Sequence, residues 1–292
     1  MPKICYVPRD FSAVSTKRIE QANEIIDEYQ AQGLSLTLRQ LYYQFVARDL
    51  LPNTQNSYKS LGATISDARL AGLVDWNALV DRTRRCLSNS HWSSPGEGVR
   101  SLAAQYQIDK WMGQTYHVEV WVEKEALVGV FETICSELDV PWFACRGYVS
   151  QSAMWRAAQR LLDKENGGKK TVILHFGDHD PSGLDMTRDI EDRLQLFRAN
   201  TQVDRLALTP AQIQQYDPPP NPAKTSDSRF GNYRQEHGDE SWELDALEPR
   251  VLRQLVERGV KQYRDDERWE KRCEEEEWER DELYNVADEL GG

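Results

Sequence analysis

The chain has 292 residues, 39% of them hydrophobic and 29% charged, which is enough for one large domain or two modest ones with an ample core. No apolar run approaches the roughly 20 residues of a membrane span, and the N-terminal MPKICYVPRD lacks a signal-peptide core, so no membrane is expected and a cytoplasmic location is. The net charge of -12 is uneven: residues 1–115 carry 13 Lys/Arg against 11 Asp/Glu, residues 116–235 carry 14 against 17, and residues 236–292 carry 9 against 20. The acidity belongs mainly to the tail, so it does not exclude a polyanionic partner at the front of the chain. Five scattered cysteines without a CxxC pair point to a reduced interior and away from zinc.

Residues 14–32 read as an amphipathic helix, with Ile19, Ala22, Ile25, Ile26 and Tyr29 at helical spacing and Gly33 closing it. Thr37 is an N-cap candidate for LRQLYYQFVARDLL, whose Leu38, Leu41, Tyr42, Phe45 and Val46 form an apolar stripe. Pro52-Asn53 breaks it. A further helix starts at Thr54 with Tyr58, Leu61, Ile65 and Ala68 pointing inward, and Gly72 ends it. LVDWNALVDRTRR is expected to supply a strand and wing. Helix, turn, helix and a small β element is the plan of a winged-helix module over residues 33–100, preceded by an N-terminal helix over 1–32. On that plan Lys59 and Arg69 lie on the exposed helix face and Arg82, Arg84 and Arg85 near the wing, as phosphate contacts.

Residues 88–100 are Ser-, Gly- and Pro-rich and read as a loop; a connecting helix is expected over 101–115. From residue 116 the pattern changes to alternating strands and helices: HVEVWV and its helix, a short strand before Gly147 and its helix, TVILHF and its helix, then VDRLALT. Such alternation predicts an α/β domain over 116–245 with a parallel sheet, and ligand chemistry at the strand carboxyl ends. Glu123 falls at one such end and Asp178 and Asp180 at another. Aspartates two apart on a strand end share a side and repel unless a cation joins them, and oxygen donors of this kind suit Mg²⁺. Residues 217–241 read as a polar loop, and residues 246–292 as a charged, acidic helical arm, in two pieces around Pro249.

VEKEAL with Glu123, and GDHDPSG with Asp178 and Asp180 two βα units later, resemble the Toprim domain of topoisomerases, bacterial primases and several nucleases. The order of parts, TLRQLYYQF on a winged helix and then this domain, resembles the A subunit of topoisomerase VI and the related meiotic double-strand-break transesterases. The short length is similar to the stand-alone "Mini-A" relatives. The resemblance covers roughly residues 33–250. It implies that Glu123, Asp178 and Asp180 bind Mg²⁺, with Mn²⁺ able to substitute, and that Glu123 takes part in proton transfer. It implies that Tyr43 is the nucleophile, forming a phosphotyrosyl link to double-stranded DNA. Arg39, one helical turn earlier, is placed to stand beside the phenol or the phosphate. It implies a homodimer in which the tyrosine of one protomer meets the metal site of the other, and strand passage would need a separate B-type ATPase partner.

The stretch RGYVSQSAMWRA lacks the proline that the family carries between its metal motifs, which leaves Arg146 and Arg156 as phosphate-contact candidates there. Two alternatives stand beside the transesterase. One is a Toprim endonuclease that hydrolyses DNA with metal-activated water, similar to the Wadjet nuclease subunit; the other is a DNA-binding subunit without cleavage activity. Tyr42 reads as core, as does His179, which points away from its flanking aspartates; His91, His117, His175 and His237 show no ligand spacing. Lys124 reads equally as a phosphate contact or a surface salt bridge. Glu243 and Asp245 of WELDAL read as solvated or helix-capping groups in preference to part of the acidic site.

Overall fold

The polar and apolar alternation of residues 116–122 decides the layering of the chain. In the computed structural model, which describes residues 3–31, 35–80 and 89–291, these residues form strand β1 (Tyr116–Val122). Val118, Val120 and Val122 face one side, and Glu119 and Trp121 face the other. Three more strands, β2 (Trp142–Ala144), β3 (Lys170–Phe176) and β4 (Gln202–Ala207), join it in the order β2-β1-β3-β4, all parallel. The fold class is therefore α/β, as the alternating pattern predicts.

Helix α5 (Val128–Glu137) crosses from β1 to β2 and covers the valine face together with α10 (Pro249–Lys261). Helices α6 (Gln151–Asn166) and α7 (Pro181–Leu196) return the chain to β3 and β4 and cover the opposite face, where Met154, Leu161, Ile190 and Leu194 pack on Trp121 and Ile173. The chain leaves β1 in one direction toward β2 and then passes beyond β1 in the other toward β3 and β4. Strand order thus reverses between β1 and β3, and a crevice opens at the carboxyl ends of that pair.

The N-terminal part is a separate apolar cluster of three helices: α1 (Ala13–Gln30), α2 (Leu38–Ala47) and α3 (Gln55–Leu70). Thr37 caps α2 in a reciprocal capping box with Gln40, and the Thr54 hydroxyl caps α3. Tyr42 is core, as expected from its place in the stripe. Its hydroxyl also accepts the Thr54 amide at 2.8 Å, so it helps set the entry of α3.

Several expectations are corrected. Of LVDWNALVDRTRR, expected to supply a strand and wing, the described residues 73–80 are a run of turns and bends with one isolated bridge, between Leu79 and Leu36. The Arg82, Arg84 and Arg85 contacts lie outside the described residues. Part of the expected loop over 88–100 opens helix α4 (Pro95–Ala103), because Ser94 caps it and Pro95 fits the first turn. The expected connecting helix stops at Ala103. Helix α8 (Pro210–Tyr216) precedes the polar stretch 217–241, which contains α9 (Phe230–His237) and a small antiparallel pair, β5 (Asn221–Pro222) with β6 (Glu240–Ser241). The acidic tail forms α11 (Asp266–Glu289) and is no free arm: it packs along α4, with Trp269, Glu276 and Ala287 buried. Tyr106 donates to Glu279 at 2.7 Å, and Lys110 pairs with Glu276 at 3.1 Å. Among the described residues the four cysteines are free thiols, and no helix is long and apolar enough to cross a membrane.

One ion pair lies inside the sheet layer. Glu119 is 1% exposed and receives Arg160 in a two-pronged contact at 2.8 Å, together with the Trp121 indole at 3.0 Å and His117 at 3.2 Å. Burial pushes its carboxyl up, but these donors outweigh that and hold it down to about 2. The stabilisation is present above the ordinary carboxylate value and is lost as pH falls from about 4.3 toward 2. Arg160→Met leaves the carboxylate buried without its main partner and is expected to cost about 2–3 kcal/mol, below the range for fully buried pairs because Arg160 is half-exposed. Urea unfolding at pH 7 measures it; a cost under about 0.5 kcal/mol, within the ordinary range of surface substitutions, would show that water replaces the guanidinium.

Candidate active site

Glu123 and Asp178 meet in the crevice between β1 and β3. The Glu123 amide donates to Phe176 O at 2.8 Å, extending the strand pairing, and the Asp178 amide donates to Glu123 Oε2 at 2.8 Å. Gly177 lets the chain pass: a Cβ there would stand 3.0 Å from Glu123 Oε2 and 3.2 Å from Arg205 Nη1. The loop then folds so tightly onto α7 that a Cβ on Gly183 would stand 2.2 Å from Asp178 O. Asp180 is the N-cap of α7, accepting from the Gly183 amide at 2.6 Å and the Ser182 hydroxyl at 2.9 Å.

Arg205, which the sequence reading passed over, braces this loop from β4. Its guanidinium donates to Gly177 O at 3.1 Å, Asp178 O at 2.5 Å, Gly183 O at 2.9 Å and Thr187 Oγ1 at 2.9 Å. The visible signal was an arginine, next to Asp204, inside the predicted strand VDRLALT. His179 lies as expected away from the carboxylates, buried against Tyr233, His237 and Trp242.

The segment after β6 enters the same crevice. His179 and Trp242 exchange backbone hydrogen bonds at 2.8 and 3.0 Å, and the Leu244 amide donates to Asp178 Oδ1 at 2.7 Å. These bonds set Glu243 and Asp245 beside the strand ends, which corrects the preference for solvated or capping roles. Asp245 is 2% exposed. Lys124 is largely buried and not at the surface: its Nζ reaches Glu243 at 2.8 Å, Asp245 at 2.9 Å and Asp178 at 3.1 Å.

Helix α2 completes the cluster. Arg39 Nε pairs with Asp245 at 2.7 Å, its Nη2 pairs with Glu243, and the same Nη2 stands 3.3 Å from the Tyr43 hydroxyl. The phenol donates to Glu243 Oε2 at 2.7 Å. Tyr43 is 4% exposed, and burial, followed by the Asp245 and Glu243 carboxylates, pushes its pKa up against the opposing Arg39 charge. Arg39, Tyr43, Lys124, Glu123 and Asp178 therefore form one contiguous site with Glu243 and Asp245, whereas Asp180 faces its own helix. Arg146, in the left-handed region at φ 55° and paired with Glu125 at 2.6 Å, lines a hollow of about 360 Å³ with Arg39, Glu123, Lys124 and Asp245.

The remaining sequence candidates lie elsewhere. Lys59 and Arg156 are exposed. Arg69 is turned inward, a correction to its expected place on the exposed face: it donates to Trp76 O at 3.2 Å and Leu79 O at 2.7 Å and ties down the turns that follow α3.

Among the described residues no three His, Cys, Asp or Glu side chains form a ready metal cluster. The donor chemistry at Glu123 and Asp178 nevertheless suits a hard cation. Burial and then the Asp178 charge push Glu123 up to about 7, and burial pushes Asp178 up against the pull of Lys124. A part-buried Glu123 and a buried Asp178 thus both hold a proton more tightly than a solvated carboxyl, and added positive charge would release it. Without divalent cations, the folded chain keeps a proton on Glu123 that the unfolded chain releases near pH 4.3, so stability falls as pH rises from about 4.3 to 7. Chemical denaturation in chelator between pH 5 and 8 is expected to show this decline, and Glu123→Gln to flatten it. An identical slope in the variant would place the missing charge elsewhere.

Comparison with protein-family models and with curated proteins gives no match for this chain.

Proposed function

We propose that the chain is an Mg²⁺-dependent DNA-cleaving protein in which Tyr43 is the nucleophile, on the plan of the topoisomerase VI A subunit. The observation that supports it most is the convergence of α2 with the strand ends: Tyr43 stands 2.7 Å from Glu243, Glu243 2.8 Å from Lys124, and Lys124 3.1 Å from Asp178. A winged-helix part followed by a Toprim-type part is the finer reading of the helical cluster and the parallel sheet. Glu123 and Asp178, with Asp180 beside them, would hold the ion, which when bound would neutralise charge on a phosphodiester. Arg39 faces the phenol oxygen and favours its ionised form. The Tyr43 oxygen bonds to phosphorus as the bond from phosphorus to the sugar oxygen breaks; the phenol proton leaves and the departing sugar oxygen takes one up. Double-stranded DNA is the substrate, and a homodimer would pair two such cuts on opposite strands. Within one chain Tyr43 already stands three contacts from Asp178, so the constellation itself does not require the second protomer. A separate B-type ATPase would be needed for strand passage.

Hydrolysis is a second reading, in which water replaces Tyr43 as the attacking group. It is favoured by the burial of the phenol and its hold on its proton. A supercoiled-plasmid assay with Mg²⁺ or Mn²⁺, stopped with denaturant and run with and without protease, separates the two. Tyr43→Phe and Asp178→Ala are each expected to lower cleavage on the order of 10³-fold or more, and wild type to leave protein bound to the cut DNA until protease is added. Protein-free cuts that persist in Tyr43→Phe and vanish in Asp178→Ala would instead establish the nuclease. No cutting by any form would leave two options, a missing partner or a DNA-binding subunit.

A further inference from the structure

Three donors, two from α2 and one from the end of β1, crowd a single carboxylate oxygen. Glu243 Oε2 accepts from the Tyr43 hydroxyl at 2.7 Å, from Lys124 Nζ at 2.8 Å and from Arg39 Nη2. Two fixed cations and a hydroxyl directed at one anionic oxygen make the environment of a phosphate oxygen, because the fork of arginine and the ammonium of lysine both match tetrahedral oxyanions. We infer that Arg39, Lys124 and Tyr43 form a binding site for one backbone phosphate of a nucleic-acid strand, and that the Glu243 carboxylate fills it in the free protein as an internal surrogate. This rests on the proposed DNA chemistry and names the subsite where the strand is held.

The two acidic residues of the segment differ in a way that fits this division. Asp245 has a side chain only 1% exposed, pinned between Arg39 and Lys124, and stays as the anchor of the two cations. The Glu243 side chain is 29% exposed and can swing outward from a short connection between β6 and the turn at Leu244–Ala246. Hollows lie on both sides. One of about 350 Å³ is lined by Tyr42, Tyr43, Asn53, Tyr58 and Glu243, and the other, of about 360 Å³, by Glu123, Lys124, Arg146 and Asp245. Arg39 is a wall of both. With Glu243 withdrawn, a strand seated against Arg39 would place its phosphate within reach of Lys124 and of the phenol that the carboxylate now covers.

The test is equilibrium binding of a labelled DNA duplex in chelator, so that cleavage plays no part, across a salt series. Wild type is compared with Glu243→Ala and Glu243→Gln, and with Glu191→Ala, which removes an exposed acid on α7 outside the cluster. Glu243→Ala is expected to bind about 10-fold more tightly than Glu191→Ala and to steepen the salt dependence by about one unit, the signature of one added phosphate contact. Glu243→Gln, which keeps the shape and guards against misfolding, should move in the same direction. Titration with inorganic phosphate should weaken DNA binding by Glu243→Ala at concentrations that leave wild type unaffected. Equal affinity and slope in Glu243→Ala, Glu243→Gln and Glu191→Ala overturn the inference. So does a variant that gains inorganic phosphate binding while its DNA affinity stays that of Glu191→Ala, which would make this a site for free phosphate. Because the readout is binding, a protein that cuts nothing can still satisfy it, and a protein that cuts through Tyr43 can still fail it.

Discussion

Two cations, a part-exposed Arg39 and a largely buried Lys124, hold the helical cluster against the sheet through one buried carboxylate, Asp245. Arg39 belongs to α2 and Lys124 follows β1, yet both are neutralised by the same short segment, Glu243 to Asp245, which is itself zipped to the loop after β3. A charge removed from water persists only when it is paired and hydrogen-bonded, so the buried Asp245 cannot lose Arg39 and Lys124 without being stranded. Ala246, immediately after the segment, packs into the core of the helical cluster. The register between the two halves of the chain is thus written in ion pairs at the site itself. Any ligand that competes for Arg39 or Lys124 also acts on that register.

The charge balance at the crevice follows from the topology. Strand order reverses between β1 and β3, so their carboxyl ends lack a crossing connection above them and the residues there can face one another. Glu123, Asp178, Glu243 and Asp245 gather around two cations, an excess of negative charge that burial makes costly. Arg205 bears part of this load by donating to backbone oxygens of the loop, and its field helps explain why His175 behind it is held neutral, down to about 3, after burial itself. A cation or a redistribution of protons must meet the remainder.

The helical elements near the N-terminus and the alternating strands were legible because their signals are local. Thr37 and Thr54 start helices through their own hydroxyls, and valines two apart on β1 mark one face of a sheet whatever packs on it. Residues 73–80, the described part of the expected strand and wing, were not legible in the same way. Its apolar residues Val74, Ala78 and Leu79 are buried, but they are held by turns and by Arg69 from α3, a contact that apolar patterning does not report. The tail misled for a similar reason: its heavy charge reads as solvated, while Trp269 and Glu276 anchor it on residues more than 150 positions earlier.

At the candidate site the division is sharper. Sequence alone determined which strands carry Glu123, Asp178 and Asp180, because spacing along a strand places carboxylates at its end without reference to anything else. It also determined that Arg39 and Tyr43 share a helical face, one turn apart. The cap that Asp180 makes to Ser182 and Gly183 is local, but only the tertiary structure decided that Arg205 braces the loop and that Lys124, Glu243 and Asp245 join the site. Those choices depend on which charges are stranded when distant segments are buried together, and a linear sequence carries no record of that until the chain has folded.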